Sequence, residues 1–512
     1  MTVVSRTARV VQNARVALFF YCINLFLQFF SRKIFLDYLG ADLLGLNTTI
    51  QNLLQFLNLA ESGIGIASAF ALYKPLSAGD RQKVNEIVSV QGWLYRCVAY
   101  VVLVGSLILM FLFPYLFSKT EIPFLYIYGT FCAFLLNAVL GYLSNYKMTV
   151  LLADQKAYKA TIQTQGVKSL KILFQMIAIS HLSQGYLWWI FFEILAPITT
   201  AICLHLCVRK EYPWLVTDVN EGRRLRNSYS FFTKKIKQLI FHRIGGYVFT
   251  QSTPLVVFYF TSLSTVAIYG NYAFIMGACL MLVDVLSRGF NAGVGNLVAE
   301  GNKTKIKQIF WELVTLRLFI AGIVCTGIFL LSESFVRLWL GEEYVMSTVS
   351  MGIMSGIYFI QMTKTCDIFL NAYGLFDDIW APIAQSILNL TLSIVLGYSL
   401  GLTGIVTGVL ISEIFVTNSW KAVFLFVKGF KDPFFEYIFL YTKKVILLVV
   451  VFFISLYTQQ LLGLRIDNIV LWMLNAFLVV FVFSVCGAVL FYCLDKNFKS
   501  VVRKVIIRVL NS

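Results

Sequence analysis

The sequence is poor in charged residues. Only 13% of its 512 residues are Asp, Glu, Lys or Arg, whereas soluble domains carry about a quarter. By contrast, 59% of the residues are hydrophobic and the mean hydropathy is +0.78. These values exclude an ordinary soluble domain and indicate a polytopic membrane protein. The basic N-terminus leads into an apolar segment without a small-residue cleavage site, so this segment is interpreted as a first membrane span and not as a signal peptide.

The sequence also lacks the spacings that bind metals or perform common chemistry. Its ten cysteines are scattered through apolar runs without a CxxC pair. Cys203 and Cys207 flank His205 at helical spacing, which is more typical of helix packing than of metal ligands, so neither a metal site nor a disulfide framework is expected. No Walker A motif, HExxH or GxSxG is present, so ATP-driven pumping by this chain and common hydrolytic chemistry lack support.

Apolar runs fill most of the chain. A helix needs about 20 mostly apolar residues to cross the hydrocarbon core. The sequence offers fourteen such segments, of which the fifth is short and polar at its start. Their centres lie near residues 24, 55, 105, 133, 172, 196, 249, 275, 320, 357, 390, 413, 449 and 481. The predicted fold class is therefore an all-α polytopic membrane protein with about 14 transmembrane helices.

Lys and Arg are distributed unevenly between the predicted loops. If the N-terminus is cytoplasmic, the inside segments hold 34 of the 42 cations. The outside loops hold Arg32, Lys33, Lys119, Arg337 and Arg465. The positive-inside rule therefore predicts that both termini are cytoplasmic, and it explains the net charge of +17 without nucleic acid.

The C-terminal segment 495–512 is a basic and amphipathic tail. The apolar residues Val501, Val502, Val505, Ile506 and Val509 follow one helical face, with Lys and Arg elsewhere. Such a helix is predicted to lie on the cytoplasmic membrane surface.

A weak internal repeat divides the chain. When the two halves are aligned, Asn47 falls on Asn271 and span 1 pairs with span 7, so each half holds six spans and both halves insert the same way up. The predicted organisation is an N-lobe of six spans over 1–210, an inter-lobe linker over 211–238, a C-lobe of six spans over 239–430, two further spans over 431–494, and the tail over 495–512.

The second and eighth spans are too long for the membrane. Leu43 to Leu76 and Val266 to Glu300 each run for about 35 residues, or roughly 50 Å as a helix, against a hydrocarbon thickness of about 30 Å. Such helices must tilt, bend or project. The sequence LYKPL is expected to end the first of them, because the residue before Pro75 disfavours helical geometry.

Both long segments carry charge deep inside. Glu61 lies in the first, and Asp284 and Arg288 lie in the second. Ionisable groups at that depth are costly and normally face a bundle interior or a watery cavity. Glu61 and Asp284 are therefore candidates for ion coupling. Arg288 is either a structural partner of Asp284 at i, i+4 or part of a substrate site.

A polar stripe in the first span supplies further candidates. Asn24, Gln28 and Arg32 are spaced i, i+4, i+8 and stack on one helical face. A stripe that ends in a guanidinium suits a cavity wall that receives an anion, and Lys33 and Asn271 are added as weaker candidates for the same cavity. The alternative is that Arg32 and Lys33 only extend to the outer headgroups.

Several stretches together resemble one transporter family. YLGADLLGLNTTIQNLLQFLNLAESGIGIASAFALYKPLSAGDRQKV, over 38–84, is similar to the bacterial polysaccharide flippases of the multidrug/oligosaccharidyl-lipid/polysaccharide (MOP) exporter superfamily. The same holds for VAIYGNYAFI (266–275), GNLVAEGN (295–302), LWLGEEY (338–344), LNAYGLFDDIWAPIAQSILNLTLSI (370–394) and GLTGIVTGVLIS (401–412). The resemblance covers most of residues 10–430.

The resemblance implies a V-shaped pair of six-helix lobes with a cationic central cavity. Glu61 falls at the acidic position of the family's LAELGIG-like motif, and Lys74 and Pro75 match its LYKPL. Span 7 departs from the pattern: many relatives carry an acidic residue before the apolar run, where this chain has Thr253 and Pro254 in QSTPLVVFYF. If that acid couples ions in relatives, coupling here uses another group or is absent.

The implied function is translocation of undecaprenyl-pyrophosphate-linked oligosaccharide across the bacterial inner membrane for surface polysaccharide biosynthesis. No cofactor is expected beyond coupling to a proton or sodium gradient. The implied partners are membrane lipids, a polysaccharide polymerase and chain-length machinery, with no nucleic acid. One alternative is a multidrug exporter of the same superfamily, which an acidic cavity would favour. A membrane-embedded polysaccharide polymerase or glycosyltransferase would need an extramembrane domain, and the predicted outside loops are too short for one.

Overall fold

The computed structural model describes residues 6–57, 64–229, 246, 251–375, 377–378, 380–462 and 466–510. Over these ranges the regular structure is entirely helical, which confirms the predicted all-α polytopic class. The first helices are α1 (Arg6–Leu57), α2 (Ile64–Ala78), α3 (Arg81–Leu116), α4 (Phe124–Ser144), α5 (Met148–Ala153), α6 (Ala157–His181), α7 (Gly185–Glu211), α8 (Val219–Leu225) and α9 (251–260). They are followed by α10 (Leu263–Glu300), α11 (Lys303–Trp339), α12 (Thr348–Met362), α13 (Thr365–Tyr373), α14 (Trp380–Ser412), α15 (Lys421–Phe424), α16 (Phe434–Leu462), α17 (Ile469–Leu494) and α18 (Lys496–Leu510).

The chain divides into two compact units. The first comprises residues 1–258 and 262–267, and the second comprises 259–261 and 268–512. Residues 211–229, which lie in the expected linker, belong to the first unit, where Gly222 of α8 sits against the backbone of Ser89 in α3. A Cβ at Gly222 would lie 2.1 Å from the Ser89 carbonyl oxygen, so this close approach requires glycine.

Nine helices of the described ranges are long and apolar enough to cross a membrane. Two of them each contain two of the predicted spans. α1 bends at Gly40 (φ 80°, ψ 173°) between the centres at 24 and 55. The continuous helical stretch Trp380–Phe430, which begins with α14, bends at Gly401 (φ 56°, ψ −134°) between the centres at 390 and 413. The centre at 172 falls on α6, which is more polar than the nine helices. The centre at 357 falls on α12, which has only 15 residues. The centre at 249 lies in a stretch that is mostly outside the described residues.

The two long segments differ in outcome. α10 runs unbroken from Leu263 to Glu300 for 38 residues, as its sequence predicts. The other segment is helical up to Leu57 and again from Ile64. The prediction that Pro75 ends this helix is wrong, because α2 continues to Ala78.

Glycine, not proline, ends α2. Gly79 has φ +71°, a left-handed conformation that terminates helices, and its N–H bonds to the carbonyl of Leu76. Pro75 removes only one amide donor in the last turn, so the helix tolerates it.

Aromatic rings fill the core of each unit. In the first, Tyr186 stacks on Trp189 with ring centroids 5.5 Å apart, and the Tyr186 hydroxyl donates to Asn47. In the second, Phe310 contacts the rings of Phe369 and Phe430 edge-on. These contacts fix the helices that carry the polar groups described below.

The tail helix α18 is attached to the second unit. Lys504 donates two hydrogen bonds to the buried carboxylate of Glu312 in α11, and the buried Lys444 of α16 pairs with Asp495 just before α18. Phe498 is buried against the unit's core. Part of α18 therefore faces protein, and its position on a membrane surface stays a prediction.

The loops of the first unit gather at two ends. At one end, Arg9 at the start of α1 and Tyr212 after α7 both contact Asp154, which lies between α5 and α6. At the other, Ser264 donates to Asp42 just beyond the α1 bend. Arg9, Asp154 and Tyr212 belong to the segments 1–15, 147–171 and 209–229, which are predicted to lie on one side of the membrane. Residues 157–171 of the second segment are part of the helix α6 and not of a loop. The side itself stays a prediction.

Candidate functional site

The helix α6 has a polar side and an apolar side. Helical residues advance by about 100° each, which places Leu170, Leu173, Phe174 and Ile177 together on one side. All four are exposed, as lipid-facing residues are. The opposite side is polar; it consists of Thr161, Thr164, Gln165, Lys168, Lys171 and Gln175. A helix at membrane depth with such a side faces protein or water there.

The polar stripe of α1 meets one edge of this side. Asn24 is buried, and its amide donates to Gln165 Oε1 at 3.3 Å while its carbonyl oxygen accepts from Ser169 at 3.3 Å. Gln28 donates to the Asn24 backbone carbonyl at 3.0 Å. Asn24 is thus part of the α1–α6 contact, whereas the Gln28 bond stays within α1.

The other edge of the polar side meets a buried carboxylate of α7. Lys171 Nζ lies 2.7 Å from Glu193 Oε1, and Gln175 donates to the same oxygen at 3.0 Å. The Lys171 and Glu193 side chains are only 20% and 10% exposed. At this burial an ion pair needs further hydrogen bonds to offset its desolvation, and Gln175 supplies one.

Lys168 lies between these two edges. It is exposed, although it points away from the lipid-facing side of α6. Within the described part of the chain no carboxylate lies within ion-pair distance of it. An exposed ammonium in the middle of α6, turned from the apolar side of the helix, indicates a water-accessible surface that can receive an anion.

The remaining predicted residues of α1 are placed before the bend at Gly40. Arg32 is partly buried on the same helical face as Asn24 and Gln28. Lys33 Nζ lies 3.1 Å from Asp37 one turn later, and both side chains are 43% exposed. Lys33 thus has a local counter-ion on its own helix.

The second unit has its own buried polar cluster. Glu413 is completely buried where the helix after α14 becomes a π-helix over Glu413–Trp420, a distortion that is frequent at functional sites. Gln361 of α12 donates to Glu413 at 3.1 Å, and Lys364 Nζ lies 3.7 Å from it. Lys364 sits in the break between α12 and α13, beside a cavity of only about 10 Å³.

A buried arginine holds that break. Arg317 of α11 donates to the backbone carbonyls of Met362 at 2.9 Å and Lys364 at 3.3 Å. The predicted Asp284 is exposed on α10, and its charge interacts with Arg317. Asn271 is completely buried on α10.

Two predicted residues are not placed. Glu61 lies outside the described residues. Arg288 belongs to α10, but its side chain is not described, so its pairing with Asp284 stays a prediction.

Sequence reasoning missed several of these groups, among them two lysines and two glutamates. Lys168 and Lys171 lie in the fifth predicted span, whose polarity counts against a membrane helix. Only when its residues are placed around the helix axis do the separate polar and apolar sides become visible. Glu193 and Glu413 are single acids in apolar runs, FFEIL and LISEIF, and that signal alone could have identified them. The described residues hold no group of three or more His, Cys, Asp and Glu that could bind a metal ion.

Comparison with known proteins rests on structure. No family model and no curated protein matches the sequence. The lipid II flippase MurJ in an inward closed conformation is similar over 94% of this chain and 99% of its own, with 14% identity and a TM-score of 0.60. An inward-facing multidrug resistance MATE family transporter of the MOP superfamily is similar over 78% of this chain and 94% of its own, with 12% identity and a TM-score of 0.59. The chain has the fold of these transporters.

A third solved structure widens the range of functions on this fold. It is a MOP superfamily transporter from Pyrococcus furiosus, whose binding pocket is described as having reverse polarity; it is similar over 83% of this chain and 97% of its own, with 12% identity and a TM-score of 0.51. The predicted MOP-like fold is therefore confirmed. The narrower resemblance to polysaccharide flippases stays a prediction, because one fold carries several functions.

Proposed function

We propose that the protein flips undecaprenyl-pyrophosphate-linked oligosaccharide from the cytoplasmic to the outer leaflet of a bacterial inner membrane by alternating access. The observation that supports this most is the likeness to the lipid II flippase, which covers 94% of this chain where the MATE transporter covers 78%. The likeness to the flippase leaves 6% of this chain uncovered. That share, about 31 of 512 residues, is smaller than α16 and α17 combined, which have 29 and 26 residues. The likeness therefore extends into the last two spans.

The chemistry of α6 suits a pyrophosphate headgroup. A multiply charged anion cannot enter a low-dielectric space without cations that replace its water. Lys168 is exposed and forms no ion pair within 4 Å among the described residues, so its ammonium is available to an anion. Arg32 on α1 can donate two parallel hydrogen bonds to phosphate oxygens.

Ion coupling is the second part of the proposal. A proton or sodium gradient would drive the cycle, with Glu61 and Asp284 as the candidate carboxylates. Glu413 is a further candidate, because it is completely buried and one of its oxygens has no hydrogen-bond partner among the described residues. A polysaccharide polymerase and chain-length machinery would take up the product.

Reconstitution tests the proposal directly. The full-length protein is placed in proteoliposomes with a radiolabelled undecaprenyl-pyrophosphate-linked oligosaccharide, and the labelled sugar accessible to an added glycosidase is measured over time. We expect the protein to expose sugar from the inner leaflet faster than empty liposomes do, and an imposed proton or sodium gradient to increase the rate.

The same liposomes distinguish the alternative. A multidrug exporter would move ethidium, a small lipophilic cation, against the same gradient and leave the labelled lipid in place. Ethidium transport without lipid flipping would reject the flippase and favour the drug exporter.

A further inference from the structure

A basic cavity lies at one end of the first unit, away from the polar side of α6. It measures about 310 Å³ and is lined by the cationic or ionisable side chains of Lys147, His205 and Arg209, with Tyr212, Val208 and Leu215 among the other walls. Lys147 ends the short 3₁₀ helix Asn145–Lys147 after α4, whereas His205 and Arg209 lie one turn apart near the end of α7. Two separate elements therefore direct positive charge into one space.

The walls of this cavity are anchored. The Tyr212 hydroxyl donates to Asp154 at 2.8 Å, and Lys156 lies over the Tyr212 ring, 5.1 Å from its centroid. Lys156 is itself held by Asp154 at 2.6 Å and Glu211 at 2.7 Å. Burial lowers the pKa of Lys156, but these two carboxylates outweigh it and raise the pKa above its usual range, so the anchor stays charged.

The second wall is held in a similar way. Tyr146 shares a hydrogen bond with Thr217 at 3.1 Å, and Lys147 Nζ lies 5.9 Å from the centre of the Tyr146 ring. The cavity is thus a formed feature of the unit and not a gap between loose side chains.

The cations of the cavity are not neutralised. Throughout the described ranges no carboxylate lies within 4 Å of Lys147, His205 or Arg209, whereas the neighbouring Lys156 and Lys159 both pair with Glu211. Burial lowers the pKa of Lys147, because its ammonium has lost water without gaining a counter-ion. An anion in the cavity would supply the missing negative charge.

We propose that this cavity binds the phosphate headgroup of an anionic membrane lipid. Lysine and arginine are the usual phosphate-binding side chains, and basic pockets between membrane helices bind anionic headgroups. The apolar Val208 and Leu215 line the same space, and α7 exposes the apolar Ile202 and Leu206 close by, so acyl chains can continue along the helix. The cation count assigns this end of the unit to the cytoplasmic leaflet, where anionic lipids are plentiful.

Native mass spectrometry of the purified full-length protein in neutral detergent tests this site. The protein is titrated with phosphatidylglycerol, with phosphatidylcholine as the zwitterionic reference and, in a separate arm, with inorganic phosphate. We expect Lys147→Gln/Arg209→Gln to weaken phosphatidylglycerol binding by about tenfold or more, because two charge-assisted contacts are lost. The charge-retaining pair Lys147→Arg/Arg209→Lys should preserve binding and exclude misfolding as the cause.

The control removes the same charge outside the cavity. Lys210 follows Arg209 on α7, and Arg223 lies on α8; both are exposed and neither lines the cavity. Lys210→Gln/Arg223→Gln should change phosphatidylglycerol binding less than twofold. Equal losses in the two double variants, or no loss in either, would overturn the site.

The phosphate arm identifies the source of the ligand. If millimolar inorganic phosphate fails to displace phosphatidylglycerol, the ligand is a lipid. If phosphate alone binds as tightly and competes at equal concentration, the lipid proposal is rejected and the site serves a soluble phosphate compound.

Discussion

Two lysines of α6 lie three residues apart and have different surroundings. Lys171 forms an ion pair with Glu193, which also accepts a hydrogen bond from Gln175. Lys168 is exposed and forms no ion pair within 4 Å among the described residues. A charge that is already neutralised inside the protein mainly affects stability. An accessible charge on the side of the helix turned from lipid is available to a substrate.

Lys168→Gln should therefore impair transport without impairing folding. Losing one charge-assisted contact of about 1.5–3 kcal/mol predicts a fall of about tenfold or more in the flipping rate measured in proteoliposomes. Lys119→Gln, which removes an exposed loop lysine, is the matched control and should keep the full rate. An unchanged rate for Lys168→Gln at equal protein content would remove Lys168 from the substrate path.

Lys171→Gln should show the opposite behaviour. Breaking a buried ion pair leaves a carboxylate without its counter-ion and costs about 3–5 kcal/mol, toward the lower end here because both side chains keep some exposure. We expect a clear fall in the Tm of the purified protein. Lys171→Gln/Glu193→Gln removes both charges and should recover most of the loss; a double variant as unstable as the single one would show that the pair is not the cause.

The polar site could be predicted from the sequence only in part. The i, i+4 spacing of Asn24, Gln28 and Arg32 places them on one face correctly. It cannot show that the Asn24 side chain is hydrogen-bonded to Gln165 and Ser169 of another helix. Contacts between distant segments depend on packing. Glu193, in contrast, is visible as a single acid within an apolar run.

At the scale of the helix, backbone conformation explains what periodicity could not. Hydropathy separates the centres at 24 and 55 but gives no loop between them, because the chain turns at the single residue Gly40. Pro75 is the opposite case: proline usually breaks a helix, but here it lies in the last turn of α2, and the helix ends at Gly79. The sequence therefore predicts that two helices exist there better than it predicts where they end.

Gly40→Ala tests the bend. At φ 80° and ψ 173° an L-residue is strained by about 1–3 kcal/mol, and no neighbouring atom lies within 4 Å of the added Cβ, so the cost comes from the backbone alone. Gly141 in the last turn of α4 has the same open surroundings but helical geometry. Gly141→Ala should raise the Tm slightly, by a gain of about 0.5–1 kcal/mol, while Gly40→Ala lowers it. Equal effects at both sites would show that Gly40 does not need its left-handed conformation.

At the scale of the whole molecule, the helical class and the positions of most spans follow from composition and hydropathy. The orientation of the protein in the membrane does not follow from the coordinates, because the helices alone do not define which end is cytoplasmic. It depends on the distribution of Lys and Arg, and in the first unit the segments assigned to one side do meet at one end, through Arg9, Asp154 and Tyr212. Orientation is therefore the property that most needs an experiment.

Cysteine labelling provides that experiment. On a functional cysteine-free background, Glu342→Cys in the segment between α11 and α12 should react with a membrane-impermeant maleimide added to intact cells. Arg224→Cys in α8 should react only after the membrane is opened. Both side chains are well exposed, 80% for Glu342 and 79% for Arg224. A failure to react therefore means that the membrane blocks the reagent, and not that the position is buried in the protein. Labelling of Arg224→Cys in intact cells, or equal labelling of both positions from one side, would reverse or break the predicted orientation. It would also move the basic cavity beside Arg209 away from the cytoplasmic leaflet.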